Sequence, residues 1–443
     1  MLRSLSLTAI ENDDTNPAQA KNRLRRLNKT NGNFLAACNA RRHPAGLGGP
    51  EQQSACTRTF GKAYPRRNTT KEELADMRWI AVLPLALLMG APSSVESAVP
   101  VEHSIVYFEE GRFAGWPANN GAWSWGNEIV VGFTLGYYKA APSGHPIAPD
   151  RPSVPRQARS LDGGESWKIE TPSYLEESGQ ERAPAQLEIS IDFTHPDFAA
   201  RFRNNLFYYS YDRCRTWHGP FTLPDFGRKG LLARTDYIVN SKHDLMAFIA
   251  TEKDEGGEGW PCCIRTTDGG RTWNLVGWIG EQPGPGGYAI MPSTLRLSEN
   301  ALLSIIRLRG VKEGKRQWWI EGHLSPDNGR SWYRLAEPTI NNHGNPPHMI
   351  RLRDGRIVLT YGYREKPYGI RAVISSDQGK TWGEEIVLRD DGGEWDLGYP
   401  RTVQRLDGKC ATVYYFNDGK RKERYIACTI WDPGKPRVRE AGK

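Results

Sequence analysis

The sequence predicts an all-β fold, a six-bladed β-propeller closed by strands from both ends of the chain. Three observations point there. A turn motif, S/T-x-D-x-G-x-S/T-W, occurs as SLDGGESW (160–167), SYDRCRTW (210–217), TTDGGRTW (266–273), SPDNGRSW (325–332) and SSDQGKTW (375–382). Its aspartates lie roughly 50 to 60 positions apart, room for about four short strands and their turns. A four-stranded unit repeated at that period is a propeller blade. Finally, the chain holds 15 Trp and 46 Gly in 443 residues and shows no long helical period beyond residue 100, which excludes a helical fold there.

Each copy of the motif has a local logic. Ser or Thr ends a strand, and Asp two residues on accepts backbone N–H groups across a tight turn. Gly supplies positive φ, and the closing Trp starts the next strand. Asp162, Asp212, Asp268, Asp327 and Asp377 are therefore structural. Cys214 stands where Gly is expected, so the second turn should be distorted.

Residues 1–76 are polar, without apolar period, and read as a disordered or over-called extension. Met77-Arg78, a short apolar run and PSSVESA read as a signal peptide over 77–98, with translation starting at Met77. That implies a secreted or periplasmic protein without stable membrane insertion, since the run is too short to span a bilayer. The formal net charge is +8, but most of the excess lies in residues 1–76, so the folded part carries no nucleic-acid footprint. The propeller should occupy 99–433 and a short tail 434–443.

In order, a lone strand is expected at 104–110, two strands within 121–138, a Pro-rich loop over 139–155, and then the boxed hairpins. After Asp390 three strands follow without a box. The lone strand at 104–110 would complete that blade, leaving no long free edge. Cys410 and Cys428 are equidistant from Gly419 and should face each other across a hairpin, either bridged or as two reduced thiols. Cysteine and histidine spacing indicates no metal, and no cofactor motif occurs.

Five Asp-box turns at blade spacing resemble the sialidase (neuraminidase) superfamily, over roughly residues 102–433. That superfamily also includes other glycosidases, lyases and non-catalytic sugar binders. The resemblance implies a glycan or glycoconjugate partner, a monomer, and an arginine clamp for the sugar carboxylate. It implies a Tyr nucleophile, the recognised exception to paired carboxylates, with a separate Asp as acid/base. Asp150, ten residues before the first box, takes the acid/base position, and Tyr399 in GEWDLGYPRTV takes the nucleophile's. Arg371, with Arg364 as rival, and Arg316, with Arg307 as rival, match two clamp positions. The third departs: GRFAGWPANNG replaces F/Y-R-I-P, Pro117 matches the Pro, Gly115 holds the Arg position, and Arg112 is the substitute. GGYAIMPSTLRL has no Glu where the Tyr partner is expected, and Glu281 lies earlier.

Other residues suit a sugar site by type. Trp116, Asn119, Asn120 and Trp123 pair flat apolar faces with amides. His343 and His348 lie in NNHGNPPH, and Arg401 follows Tyr399. The expected activity is exo-α-sialidase-like hydrolysis of terminal acidic sugars. The alternatives are another enzyme of the superfamily, with His343 or His348 moving a proton, and a non-catalytic glycan binder.

Overall fold

The computed structural model describes residues 101–312 and 314–434, all within one compact unit, Ser97–Lys443. The signal-peptide segment, the 1–76 extension, Cys38 and Cys56, and the tail beyond Gly434 lie outside the described residues. The described part is a six-bladed β-propeller.

Blade one holds β2 (Arg112–Gly115), β3 (Ala122–Trp125), β4 (Glu128–Tyr137), β5 (Val154–Ser160) and β6 (Lys168–Glu170). β2 and β3 pair successive stretches of β4, so they share the innermost position, interrupted by the short helix α1 (Pro117–Asn120). Blade two has three strands, β7 (Ala199–Arg203), β8 (Leu206–Ser210) and β9 (His218–Thr222). Beside β7, Ala233 bridges Asn204, and Leu231 bridges Thr251 of the next blade. Blade three is β10 (Tyr237–Ser241), β11 (Asp244–Glu252), β12 (Glu258–Thr266) and β13 (Asn274–Trp278). Blade four is β14 (Tyr288–Arg296), β15 (Leu302–Lys312), β16 (Lys315–Ser325) and β17 (Tyr333–Ile340). Blade five is β18 (Pro347–Arg351), β19 (Ile357–Tyr363), β20 (Gly369–Ser375) and β21 (Ile386–Arg389).

Blade six is β22 (Gly398–Gln404), β23 (Cys410–Phe416) and β24 (Tyr425–Trp431), completed by β1 (Val101–Tyr107). The closing strand is the lone strand expected from the sequence, shifted toward the N-terminus, because Arg112 N–H bonds Glu109 O in a turn at 3.1 Å. Apolar residues on both faces of the middle strands, as along β11, pack blade against blade. Separate cores fill the successive interfaces. Trp217 and Tyr208 lie between blades one and two, Phe202 and Ile249 between two and three, and Phe248 and Ile306 between three and four. Ile320 and Leu359 lie between blades four and five, Val358 and Tyr414 between five and six, and Phe133 and Tyr415 between six and one.

The boxes are self-contained. In the fifth, Ser375 Oγ donates to Asp377 Oδ1 at 2.9 Å and accepts Gly379 N–H at 2.8 Å. Asp377 also accepts the Thr381 N–H and hydroxyl at 2.9 and 2.6 Å. The second box corrects the expected distortion. Cys214 adopts φ 64° and keeps the same bonds, to Ser210 Oγ at 2.9 Å and from Thr216 N–H to Asp212 at 2.7 Å. The turn's hydrogen bonds hold a side chain where glycine normally stands.

The expected facing of Cys410 and Cys428 is also corrected. Cys410 pairs Trp431, and Cys428 pairs Val413. The hairpin turn is centred further along than Gly419, so the thiols sit in different interblade cores, and both are free.

Candidate functional site

Antiparallel order fixes which residues share an end of the ring. First strands begin, second strands end and third strands begin at one end, here termed the mouth. The Asp-boxes, joining third to fourth strands, fall at the other.

Tyr399 opens β22 at the mouth. Its φ is 51°, a left-handed conformation that costs a bulky residue about 1–3 kcal/mol and is held only by its surroundings. Asn345 does the holding. Its buried amide accepts Tyr399 N–H at 2.9 Å and Gly362 N–H at 3.2 Å, and donates to Leu397 O at 2.6 Å. A Cβ on Gly398, at φ 105°, would meet that amide at 2.3 Å, so only glycine allows the approach.

The Tyr399 hydroxyl lies 2.8 Å from Arg307 Nη1. Two guanidinium groups flank its ring, Arg307 at 5.6 Å and Arg364 at 5.5 Å. They differ in what remains free. Arg364 is committed to Leu397 O, Gly344 O and the Tyr415 hydroxyl. Arg307 keeps a buried Nε with no partner. Burial works against the Arg307 charge, but Tyr288, Tyr399 and Glu258 raise its pKa, so it stays protonated. Arg309 lies 4.5 Å from the same Tyr288 ring that Arg307 approaches at 5.1 Å.

Next to this pair is a His–Asp couple. His145, in the Pro-rich loop between β4 and β5, places Nδ1 2.7 Å from Asp396 Oδ1. Asp396 is fully buried. It also accepts the Tyr415 hydroxyl at 2.5 Å and Arg424 Nε at 3.1 Å, with Arg364 Nη2 at 3.7 Å. Burial pushes its carboxyl up, but His145, Arg364 and Arg424 prevail and hold it well below the usual carboxylate range. An ionised carboxylate only accepts, so Nδ1 carries a proton and Nε2 is the working nitrogen of His145. The imidazole lies 5.0 Å from the Trp116 ring and 6.2 Å from that of Trp395.

Helix α1 lies across the axis beneath the mouth. Arg401 Nη2 donates to Ala118 O at 2.6 Å and Thr235 O at 2.7 Å, and Arg201 Nη2 to Asn120 Oδ1 at 3.0 Å. Burial lowers Arg401 to about 10, partly offset by Asp236. Burial raises Asp236 to about 7, against the pull of Arg401. Trp116 Nε1, Asn119 Oδ1, Arg401 Nε and Asp236 Oδ2 are buried without partners, so the floor offers both donors and acceptors.

The structure sorts the expected residues. Tyr399 and Arg364 meet at the mouth, with Trp116 and Asn119 on its floor. Arg401 and Asn120 brace the floor. His348 is half-buried, accepts Thr402 N–H at 3.0 Å, and has its pKa lowered by burial and by Arg401, which leaves it a poor proton donor. His343 pairs with Glu365 at 3.0 Å. Trp123 is an interblade residue bonded to Ala200 O.

Four expectations need correction. Asp150 faces solvent and pairs with Lys139 at 3.2 Å. Its own backbone N–H and Lys139 lower its pKa, opposite to what a proton donor needs. Arg371 bonds Arg389 O and Pro367 O and pairs with Glu385 at 3.3 Å, away from Tyr399, although its buried Nε makes no hydrogen bond. Arg112 lies over Tyr137 and bonds Gly136 O. Arg316 is exposed near the tip of the β15–β16 hairpin, four ladder positions or roughly 13 Å along from Arg307. In both blades the rival arginine, Arg364 or Arg307, is the one beside Tyr399.

His145 and Asp396 were not foreseen, and Asn345 lies in the NNHGNPPH stretch without having been singled out. The one local signal was Asp396 standing three residues before Tyr399. Among the described residues no group of three or more His, Cys, Asp or Glu could hold a metal ion, and no helix is long and apolar enough to cross a membrane.

Fold and site together define an Asp-box β-propeller with a Tyr–Arg pair at its mouth. Residues 192–412 match the family described as BNR repeat-like domain. The chain is similar to a protein of unknown function from Dyadobacter fermentans, at 22% identity and TM-score 0.57, covering 75% of this chain and 99% of that one. It is also similar to the NanB sialidase of Streptococcus pneumoniae, at 12% identity and TM-score 0.48, over 74% and 70% of the two chains. A third similar structure is the α-L-arabinanase of Penicillium chrysogenum, at 13% identity and TM-score 0.48, over 72% and 96%. No curated protein sequence matches the chain.

Proposed function

We propose that the chain is a glycoside hydrolase that cleaves an acidic sugar from a glycan, with the mouth as its active site. The observation that carries this reading is the Tyr399 hydroxyl on the partly unpartnered guanidinium of Arg307 at 2.8 Å, near the half-buried His145 held by the buried Asp396. The free Nε of Arg307 suits a sugar carboxylate. A carboxylate nucleophile would be repelled by that anion, whereas a phenol would not. Tyr399 gives its phenol proton to solvent, Arg307 stabilises the phenolate, and that oxygen bonds to the anomeric carbon as the bond to the leaving oxygen breaks. His145, as imidazolium, passes its Nε2 proton to the leaving oxygen, and Asp396 orients and stabilises it. The neutral imidazole then takes a proton from the water that releases the sugar. Sialic acids, with a carboxylate on the anomeric carbon, are the first substrates to try.

A second reading has a specific support. Asp396 is saturated by donors, so the groups able to move protons are an imidazole and a phenol, a pair equally suited to β-elimination beside a uronic carboxylate.

The test is turnover of α-sialosides and of uronate-containing oligosaccharides by the parent, Tyr399→Phe, His145→Asn and Arg307→Lys. Released saturated sugar, lost in all three folded variants, supports hydrolysis. An unsaturated, ultraviolet-absorbing product moves the assignment to elimination. No cleavage of either class by the folded parent sinks both.

A further inference from the structure

Trp395 is the feature of the mouth that the proposed chemistry does not use. It is 38% exposed, while Asp396, Leu397, Gly398 and Tyr399 after it are buried. Its exposure does not come from a loose loop. Gly393 N–H bonds Asn417 O at 3.2 Å, and Glu394 N–H bonds Asn417 Oδ1 at 2.7 Å. The Asn417 amide returns bonds to Glu394 O at 3.2 Å and Asp396 O at 3.0 Å. Arg424 ties the side chains of Glu394 and Asp396. The segment is thus fixed on both sides of Trp395, and the indole projects from it.

The indole is itself positioned. Arg364 packs against its ring at 5.1 Å, and the guanidinium is fixed by its own hydrogen bonds. His145 lies at 6.2 Å. A large apolar face, held against a cation and left partly open beside a proton-transfer group, loses little entropy when a flat partner stacks on it. Sugar rings present such a partner in their C–H faces. Tyr399 and Arg307 engage the acidic sugar, and His145 serves the leaving oxygen. The ring nearest Trp395 is therefore the one being expelled.

We propose that Trp395 is the platform for the leaving-group sugar, so that the site selects an acidic sugar linked to a further pyranose over the same sugar on a small alcohol. The assignment of side rests on the reading of His145 given above, whereas stacking on the indole does not.

The test compares sialyllactose with methyl α-sialoside, in the parent, Trp395→Ala and Trp395→Phe. The kcat/KM preference for sialyllactose should fall about tenfold in Trp395→Ala, through KM more than kcat, and be largely restored in Trp395→Phe. Saturation-transfer NMR with lactose alone reads the platform independently of turnover. Lactose binding should be present in the parent and lost in Trp395→Ala. If the parent cleaves neither sialoside but binds lactose through Trp395, the hydrolase reading fails and the platform stands. If the parent does not bind lactose, or Trp395→Ala changes neither preference nor binding, the platform is overturned. Thermal melting of each variant guards against a folding artefact.

Discussion

The two ends of the ring hold their carboxylates in opposite ways. At the box end, Asp377 takes its bonds from Ser375 and Thr381, within four residues. At the mouth, Asp396 takes its bonds from His145, 251 residues away, and from Tyr415 and Arg424 on blade six, with Arg364 of blade five close by. The boxes are local devices that repeat. The mouth exists only once the ring is closed. A local carboxylate can be lost with local damage, whereas the loss of a shared one is felt by every segment that points at it.

This contrast is breakable, and the mouth offers the largest effect. His145→Asn should lower kcat on a cleaved glycan by about 10²–10⁴-fold, the usual worth of a positioned acid/base, with melting temperature little changed. A drop below about threefold would remove His145 from the chemistry. Next is Asp396→Asn, which leaves Arg424 buried beside a neutral group. Breaking such a cluster costs about 3–5 kcal/mol, measurable by urea unfolding. If Asp396→Asn costs no more than a box variant, the distinction between the ends collapses.

The acid limb of stability sharpens the same point. Asp396 has a folded pKa below its unfolded value of about 4. Its contribution is therefore full above that unfolded value and lost as pH falls toward the folded one. Glu321 behaves alike: burial opposes its charge, but His323, Trp319 and Arg334 bring it down to about 2, so its share is lost between roughly pH 4.5 and 2. In Asp396→Asn, stability should fall less steeply below pH 4 than in the parent, and an unchanged slope would contradict this assignment.

Asp377→Ala should cost about 1–2 kcal/mol, the worth of a few exposed turn bonds, and leave turnover within twofold. The smallest effect is expected at Cys214→Gly. Relief of about 1–2 kcal/mol of left-handed strain opposes loss of a fully buried side chain, so the net change should stay within about 1 kcal/mol by urea titration.

What was legible in the sequence follows the same division. The boxes lie in contiguous residues with fixed turn chemistry, so blade number and the closing strand could be read directly. Cys214 shows the limit, because hydrogen bonds from Ser210 and Asp212 override a residue's φ preference. The mouth was half legible. Tyr399 could be placed, but Arg307 and Arg316 lie on adjacent strands of one hairpin, and only the ladder tells which guanidinium reaches the phenol. Arg364 and Arg371 pose the same choice. His145 lies in the same loop as Asp150 but carries no signal of its own, because the bond that matters for it crosses from blade one to the turn before blade six. No spacing rule encodes it.

One further consequence lies in the closing strand. Val101 pairs with Trp431, so strand β1 begins where β24 ends, at the box end. Arg356 secures that exit by bonding Pro433 O at 2.9 Å and Gly434 O. Both ends of the described chain thus leave the face away from the mouth, side by side. Immobilisation through either end would turn the mouth outward from the support. A short linker joining the two would allow new termini to be cut at an Asp-box turn, changing the order of the blades in the gene without disturbing the mouth.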